Sequence, residues 1–309
     1  DFNKVKSISV TSRRDVHGHR PLRKVCMNRG IVCAMAVLTV MALATCCVAD
    51  DETSVGIDVP DDARLIYSYG DTTWYNGSYY CDSDVTFNSR ITVQGSVVLY
   101  LVSGCKLTIN GGINVGDSCS LRIEGDDDGV LIAKASGSDA GIGGNYGSPG
   151  GKITINGGEI YAYGGSHGGA GIGDGHQIPS NGSTNLTVVI GGGTIVAEGG
   201  LDAAGIGGAD TNWVGGGEIT ITGGTIKATG NTWAAGIGSG YMGNVENITI
   251  SGGTVTAIGG KDGGAGIGSG PGRSGTQTGS ISITGGTVTA TGNDGGAGIG
   301  GSGAGKGHD

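Results

Sequence analysis

Apolar and polar residues alternate in short runs along most of this chain, and glycines bound the runs. Between residues 248 and 268, Ile248-Thr249-Ile250 alternates and Ser251-Gly252-Gly253 interrupts. Val255-Thr256-Ala257 alternates again, Gly259-Gly260 interrupts, and Ala265-Gly266-Ile267 follows. Period-two alternation between glycines predicts strand, turn, strand, turn, strand. Alternate strand positions point to opposite faces, so Ile248, Ile250, Val255, Ala257, Ala265 and Ile267 are expected to share one interior.

The pattern recurs. Ala-Gly-Ile-Gly begins at Ala140, Ala170, Ala204, Ala235, Ala265 and Ala297, in steps of 30, 34, 31, 30 and 32 residues. A fixed period in this range marks a solenoid of stacked supersecondary units. Equivalent offsets carry Ile153, Ile155, Ile160 and Ala162 in one copy and Val188, Ile190, Ile195 and Ala197 in the next. Ile219, Ile221, Ile226 and Ala228 follow, and then Ile281, Ile283, Val288 and Ala290. Stacking would run columns of Ile on Ile or Val, and of Ala on Ala. The expected fold class is all-β: a single-stranded parallel β-helix (β-solenoid), right-handed with three sheets, at about 30 residues per coil. With 70 glycines a helix would lose roughly 1 kcal/mol for each one in its interior. A flexible glycine-rich linker has no reason to hold inward positions apolar copy after copy.

The front of the chain has a different character. Met27-Asn28-Arg29, an apolar stretch from Ile31 to Ala44 and Cys47-Val48-Ala49 before Asp50-Asp51-Glu52 have the layout of a secretory signal peptide over residues 27–49. Residues 1–26 then read as an upstream extension, with Met27 as the start. The apolar stretch is shorter than the roughly 20 residues of a spanning helix; lipoprotein processing at Cys46 or Cys47 is the alternative. Residues 50–85 hold Tyr67, Tyr69, Trp74, Tyr75, Tyr79 and Tyr80 and are expected to cap the first coil, with a sugar-stacking surface as the other reading. The β-helix is expected over 86–309, with glycine-rich repeats from about residue 138. Removal of residues 1–49 would leave ten Lys/Arg against 25 Asp/Glu. Such an acidic protein disfavours nucleic acid, and its expected location is extracellular. Cys81, Cys105 and Cys119 remain, and an odd count in an exported chain allows one disulfide. Cys81–Cys105 fits one coil, and Cys105–Cys119 is also open.

Chemistry is sparse. A β-helical hydrolase or lyase needs carboxylates clustered on one outer face. The outward columns here run Tyr161, Val196, Lys227, Thr256, Thr289 and Tyr163, Glu198, Thr229, Ile258, Thr291, and neither stacks two carboxylates; no enzyme is expected. No cofactor is expected either. Ca²⁺ is the exception to weigh, at the acidic turn Asp126-Asp127-Asp128 or between Asp262 and Asp294 at equivalent positions of adjacent copies. An acidic, glycine-containing turn needs no metal. Mixed columns rule out a flat threonine array, and the glycine turns lack the Lys-Ser/Thr of a phosphate loop. The exposed aromatics Tyr161, Tyr163, Trp213, Trp233 and Tyr241, with His167 beside them, are the candidate ligand-binding residues, because aromatic rings on a polar surface suit sugar rings.

The runs Ile153-Thr154-Ile155-Asn156-Gly157-Gly158 with Ala170-Gly171-Ile172-Gly173, and Ile281-Ser282-Ile283-Thr284-Gly285-Gly286-Thr287-Val288 with Ala297-Gly298-Ile299-Gly300, resemble glycine-rich repeats of bacterial surface proteins. Those proteins are adhesin-like and often labelled carbohydrate-binding; the resemblance covers residues 85–309. It implies a secreted or cell-surface protein whose partners are glycans or a host or bacterial surface. Membrane contact would come only through the signal peptide or a lipid anchor. The resemblance also implies that the chain, ending inside a repeat at Gly307-His308-Asp309, continues into further domains or an anchor. A ligand-free structural stalk is the alternative function, and a polysaccharide lyase or hydrolase a more distant one.

Overall fold

The computed structural model describes residues 56–178, 185–210, 216–272 and 278–302. The expected extension and signal peptide, Trp213, and the chain end at 307–309 lie outside the described residues. Every named element is a β-strand, and all strand pairings are parallel. β1 (Arg64–Leu65) pairs with β2 (Thr73–Cys81), β2 with β4 (Ile91–Leu101), and β3 (Val85–Phe87) lies between them in sequence. The ladder therefore begins upstream of residue 86.

From there each coil supplies three strands, such as Glu218–Ile221, Thr225–Thr229 and Ile237–Gly238. Each strand pairs with its equivalent in the coils above and below. The registers follow the predicted columns: Ile153 with Val188, Val188 with Ile219, Ile219 with Ile248, Ile248 with Ile281. Ala162, Ala197, Ala228, Ala257 and Ala290 form another continuous column. The inward Ile, Val and Ala side chains are buried through Ile267, each large one stabilising by about 1.5–3 kcal/mol. In the last coil Ile283 and Ile299 rise to 38% and 49% exposure, because no further described coil stacks on them.

There are three ladders but two hydrogen-bonded sheets, of 16 and eight strands. The difference from three separate sheets comes from β4. Its first half pairs with Ile113–Val115 of the third ladder and its second half with Ser120–Gly125 of the first. It rounds the corner unbroken at Gly95 (φ 79°), where the Asn76 side chain accepts from the Ser96 amide at 2.6 Å. In later coils this corner is an open turn.

The third strand is the narrowest, with Ile and Gly alone in ladder geometry from Ile142–Gly143 onward. In every copy the amide of the leading Ala donates to the carbonyl four residues on: Ala140 to Gly144, Ala170 to Asp174, Ala204 to Gly208, Ala235 to Ser239, Ala265 to Ser269 and Ala297 to Gly301. The Ala-Gly-Ile-Gly motif is thus a closed tongue that drives one isoleucine into the core. Its second glycine is sterically required. Gly238 sits at φ 136°, and a Cβ there would stand 1.9 Å from the carbonyl oxygen of Gly268 in the next coil.

Candidate functional site

Because each tongue is so short, the turns before and after it meet at its base. The His176 amide donates to the Ser138 carbonyl at 2.9 Å and the Tyr241 amide to the Asp202 carbonyl at 2.9 Å. The residue six positions after each leading Ala is Tyr146, His176, Asp210 and Tyr241 in four successive coils. Their turns are laddered too: Gly147 donates to the His176 carbonyl, Gln177 to that of Asp210, and Met242 to that of Pro271. At the strand spacing of about 4.8 Å, the four residues make a ridge about 14 Å long.

The side chains along the ridge touch in two groups, Tyr146 with His176 and Asp210, and Tyr241 with Trp233. Tyr146 lies edge-on to His176 with ring centroids 6.1 Å apart, and its hydroxyl donates to Gln177 Oε1 at 2.7 Å. His176 Nε2 stands 3.2 Å from Asp210 Oδ2, and its Nδ1 is 3.5 Å from Ser138 Oγ. Burial pushes the Asp210 carboxyl up, and the neighbouring His176 pulls it back. Tyr241 packs against Trp233 at 4.7 Å and a 53° tilt. Tyr146 is 59% exposed, and Trp233 and Tyr241 are half-buried. The ridge therefore sets aromatic faces on either side of a close His176–Asp210 pair. His176 Nε2 is itself buried without a hydrogen bond, so the partly exposed Asp210 carboxylate is the group able to bond sugar hydroxyls beside rings that can stack on their C–H faces.

Beneath the ridge lies a polar bracket. Asp174, fully buried, accepts from the Gly150 amide at 2.8 Å and the Gly216 amide at 2.7 Å. Desolvation raises its carboxyl to about 6 even though those two amides favour the ionised form. Ser239 and Ser269 hold the equivalent place two and three coils on, accepting from Gly270 and Ser302. At the other end Arg90 donates to the carbonyls of Gly111 and Ala140 and to Asn145 Oδ1 at 2.7–2.8 Å, with longer bonds to Gly143 and Gly144. It fastens the first tongue, and its burial lowers it to about 10 while Asp139 opposes that shift.

The expected site residues divide. Trp233 and Tyr241 come together on the ridge. Tyr161 and Tyr163 lie elsewhere, on the outer face of Glu159–Tyr163 in the second ladder, where the Tyr161 hydroxyl bonds Glu159 and Lys134 sits 5.8 Å over the Tyr163 ring. Among the described residues no ring contact joins the two pairs. His167 occupies the turn before its tongue beside Ser166. Reading by residue type missed Tyr146, His176 and Asp210, although their shared offset from the leading Ala was a signal in the sequence.

The carboxylates at the acidic turn are engaged by the chain itself. Asp126 accepts from the Ile57 and Ser103 amides at 2.7 and 2.8 Å, and Asp128 from the Ser103 hydroxyl at 3.0 Å. Asp127, Asp262 and Asp294 do not join a cluster: among the described residues no three His, Cys, Asp or Glu groups converge as a metal would need. No carboxylate stands opposite another in the paired strands; Glu159 faces Val130 and Thr194, and Glu218 faces Thr187 and Asn247. Cys81 and Cys105 are buried free thiols in side-chain contact, and Cys119 is a partly exposed free thiol.

Five stretches, residues 153–176, 188–210, 219–241, 248–271 and 281–303, match the family of the beta helix repeat. Each begins in a first-ladder strand and runs through the tongue toward the ridge position. No curated protein and no solved structure matches the chain. Repeats, registers and core agree: this is an all-β solenoid built of parallel beta helix repeats, a fold compatible with non-enzymatic roles and found also in glycosidases and lyases.

Proposed function

We propose that the protein is a secreted or cell-surface, adhesin-like solenoid that binds an extended glycan along the ridge of Tyr146, His176, Asp210, Trp233 and Tyr241. The observation that carries this reading is the Trp233–Tyr241 pair, 4.7 Å apart, in line with Asp210 one coil away and His176 two coils away. Aromatic residues give a glycan area at little entropic cost, and the polar pair between them fixes hydroxyl orientation. The column repeats at the coil spacing, so it suits a chain-like ligand with its own repeat. The glycan or the surface that bears it is the partner, and no cofactor is needed.

The test is binding of the purified chain to an array of immobilised glycans, alongside Trp233→Ala and Tyr241→Ala. Binding that each substitution weakens by roughly tenfold, about 1.4 kcal/mol, at unchanged melting temperature supports the reading. A chain that binds no glycan, or binds equally well without both rings, is instead the structural stalk. Release of reducing ends from a polysaccharide would favour the enzyme reading.

A further inference from the structure

The cap of the solenoid contains a cavity of about 150 Å³ lined by Arg64, Asp71, Trp74, Tyr75, Tyr79 and Phe87 among others. It is far from the ridge in sequence and arises from different elements, β1, β2 and the turn that Gly70 closes onto the Tyr67 carbonyl at 2.8 Å. Trp74, Tyr79 and Phe87 are buried and form its floor; Trp74 and Tyr79 stack with centroids 5.4 Å apart. Tyr67 and Tyr75 stand at its rim, 59% and 56% exposed.

The polar groups in this cleft are incompletely used. Tyr79 is only 7% exposed, and its hydroxyl oxygen accepts from Arg64 Nη1 at 2.8 Å and from the Tyr75 amide at 2.9 Å. Both donations go to the oxygen, which leaves the phenolic proton free to donate into the cleft. A hydroxyl held in place by two donors is a pre-oriented donor for a group that enters the cleft. Arg64, stacked 5.4 Å over the Tyr79 ring, keeps donors beyond the one it gives to Tyr79. Asp71, exposed across the cleft, offers two acceptor oxygens. A ligand complementary to this lining presents an acceptor to Tyr79 and Arg64, hydroxyl donors to Asp71 and an apolar face to Tyr75.

We infer that this cleft binds the terminal ring of a neutral glycan, a pyranose stacked on Tyr75 with a hydroxyl or ring oxygen accepting from Tyr79. A sugar ring is the common small group with an apolar C–H face and a polar edge, and the cavity has room for about one such ring. A neutral sugar suits the cleft because Arg64 and Asp71 both line it and offset each other's charge. This end-on site is separate from the ridge and does not depend on it.

Calorimetric titration of the full chain with free glucose, galactose, mannose, N-acetylglucosamine and glucuronic acid tests it. At least one neutral sugar is expected to bind. Tyr79→Phe, which keeps the ring and its stacking, is expected to weaken that sugar roughly tenfold. Tyr75→Ala, at an exposed rim position, is expected to do the same without changing the melting temperature. Trp233→Ala is expected to leave this binding untouched, which separates the cleft from the ridge. No binding by any neutral sugar, preference for glucuronic acid, or affinity indifferent to both Tyr79→Phe and Tyr75→Ala overturns the inference.

Discussion

Single residues in this solenoid matter according to what the neighbouring coil places against them. Gly238 has no room for a Cβ and adopts a left-handed φ, so Gly238→Ala is expected to cost several kcal/mol, above about 4. Gly301 meets nothing within 4 Å, and Gly301→Ala is expected to be near neutral. Thermal melts of the two variants check the contrast. Asp174 gives a pH signature. Its folded carboxyl titrates near 6 against 3.8 in the ordinary case, so the folded state holds the proton more tightly. The associated stability is fully present below the unfolded value and is lost as pH rises through 6. Asp174→Asn, which cannot titrate, should therefore flatten the fall in stability between pH 4 and 7, by on the order of 2–3 kcal/mol. Parallel pH-dependent slopes in the two proteins would contradict it. Asp174→Ser supplies a single acceptor, as Ser239 does for Gly270, and leaves one of the Gly150 and Gly216 amides without one, so it is expected to cost about 1–3 kcal/mol.

The elements obey one rule: a strand is as stable as the coils on either side make it. Ile221 is fully buried between Ile190 and Ile250, and Ile221→Ala is expected to cost about 2–5 kcal/mol. Ile283, in the same column but with only Ile250 below it, is 38% exposed, and Ile283→Ala should cost less than half as much in the same denaturant series. At the other end, β2 and β4 hold Cys81 and Cys105 together. The Cys81 carbonyl accepts from Val102, whose own carbonyl accepts from the Cys105 amide, both at 3.0 Å. The Cys81 thiol donates to the Ser83 carbonyl at 3.0 Å, and the two neighbouring thiols shift each other's acidity in opposite directions, Cys81 down and Cys105 up. Oxidation by a small disulfide such as oxidised glutathione should join them with release of two thiols of glutathione. The closed loop would raise stability by about 2–4 kcal/mol. Mass spectrometry of an unreduced digest should find a Cys81–Cys105 peptide in preference to one containing Cys119.

Across the whole molecule, what the sequence made legible was whatever repeated. The inward columns could be aligned because period-two alternation recurs at a nearly fixed step, and Ile153, Val188, Ile219, Ile248 and Ile281 stack as that step requires. The tongue was hidden, because its closing bond runs between backbone groups and leaves no mark on residue type. So was the unbroken passage of β4 around a corner, which depends on an Asn76 side chain reaching Gly95. The ridge was half legible: Trp233 and Tyr241 stood out as aromatics, whereas His176 and Asp210 needed the offset from the leading Ala. The cap cleft was legible only as a cluster of aromatics, Tyr67, Trp74, Tyr75 and Tyr79, that could stack on a sugar; its polar lining was not, since only folding brings Arg64 to Tyr79.

All of this depends on successive coils lying parallel and in register. Spin labels on outward positions test that without disturbing the core. Lys227 pairs with Thr256, and Thr256 with Thr289. Labels at Lys227 and Thr256 should couple strongly, at a backbone separation of about 5 Å, and labels at Lys227 and Thr289 should lie about 10 Å apart. A broad distribution of distances for both pairs, with no shorter one between neighbouring coils, would contradict the stacked solenoid.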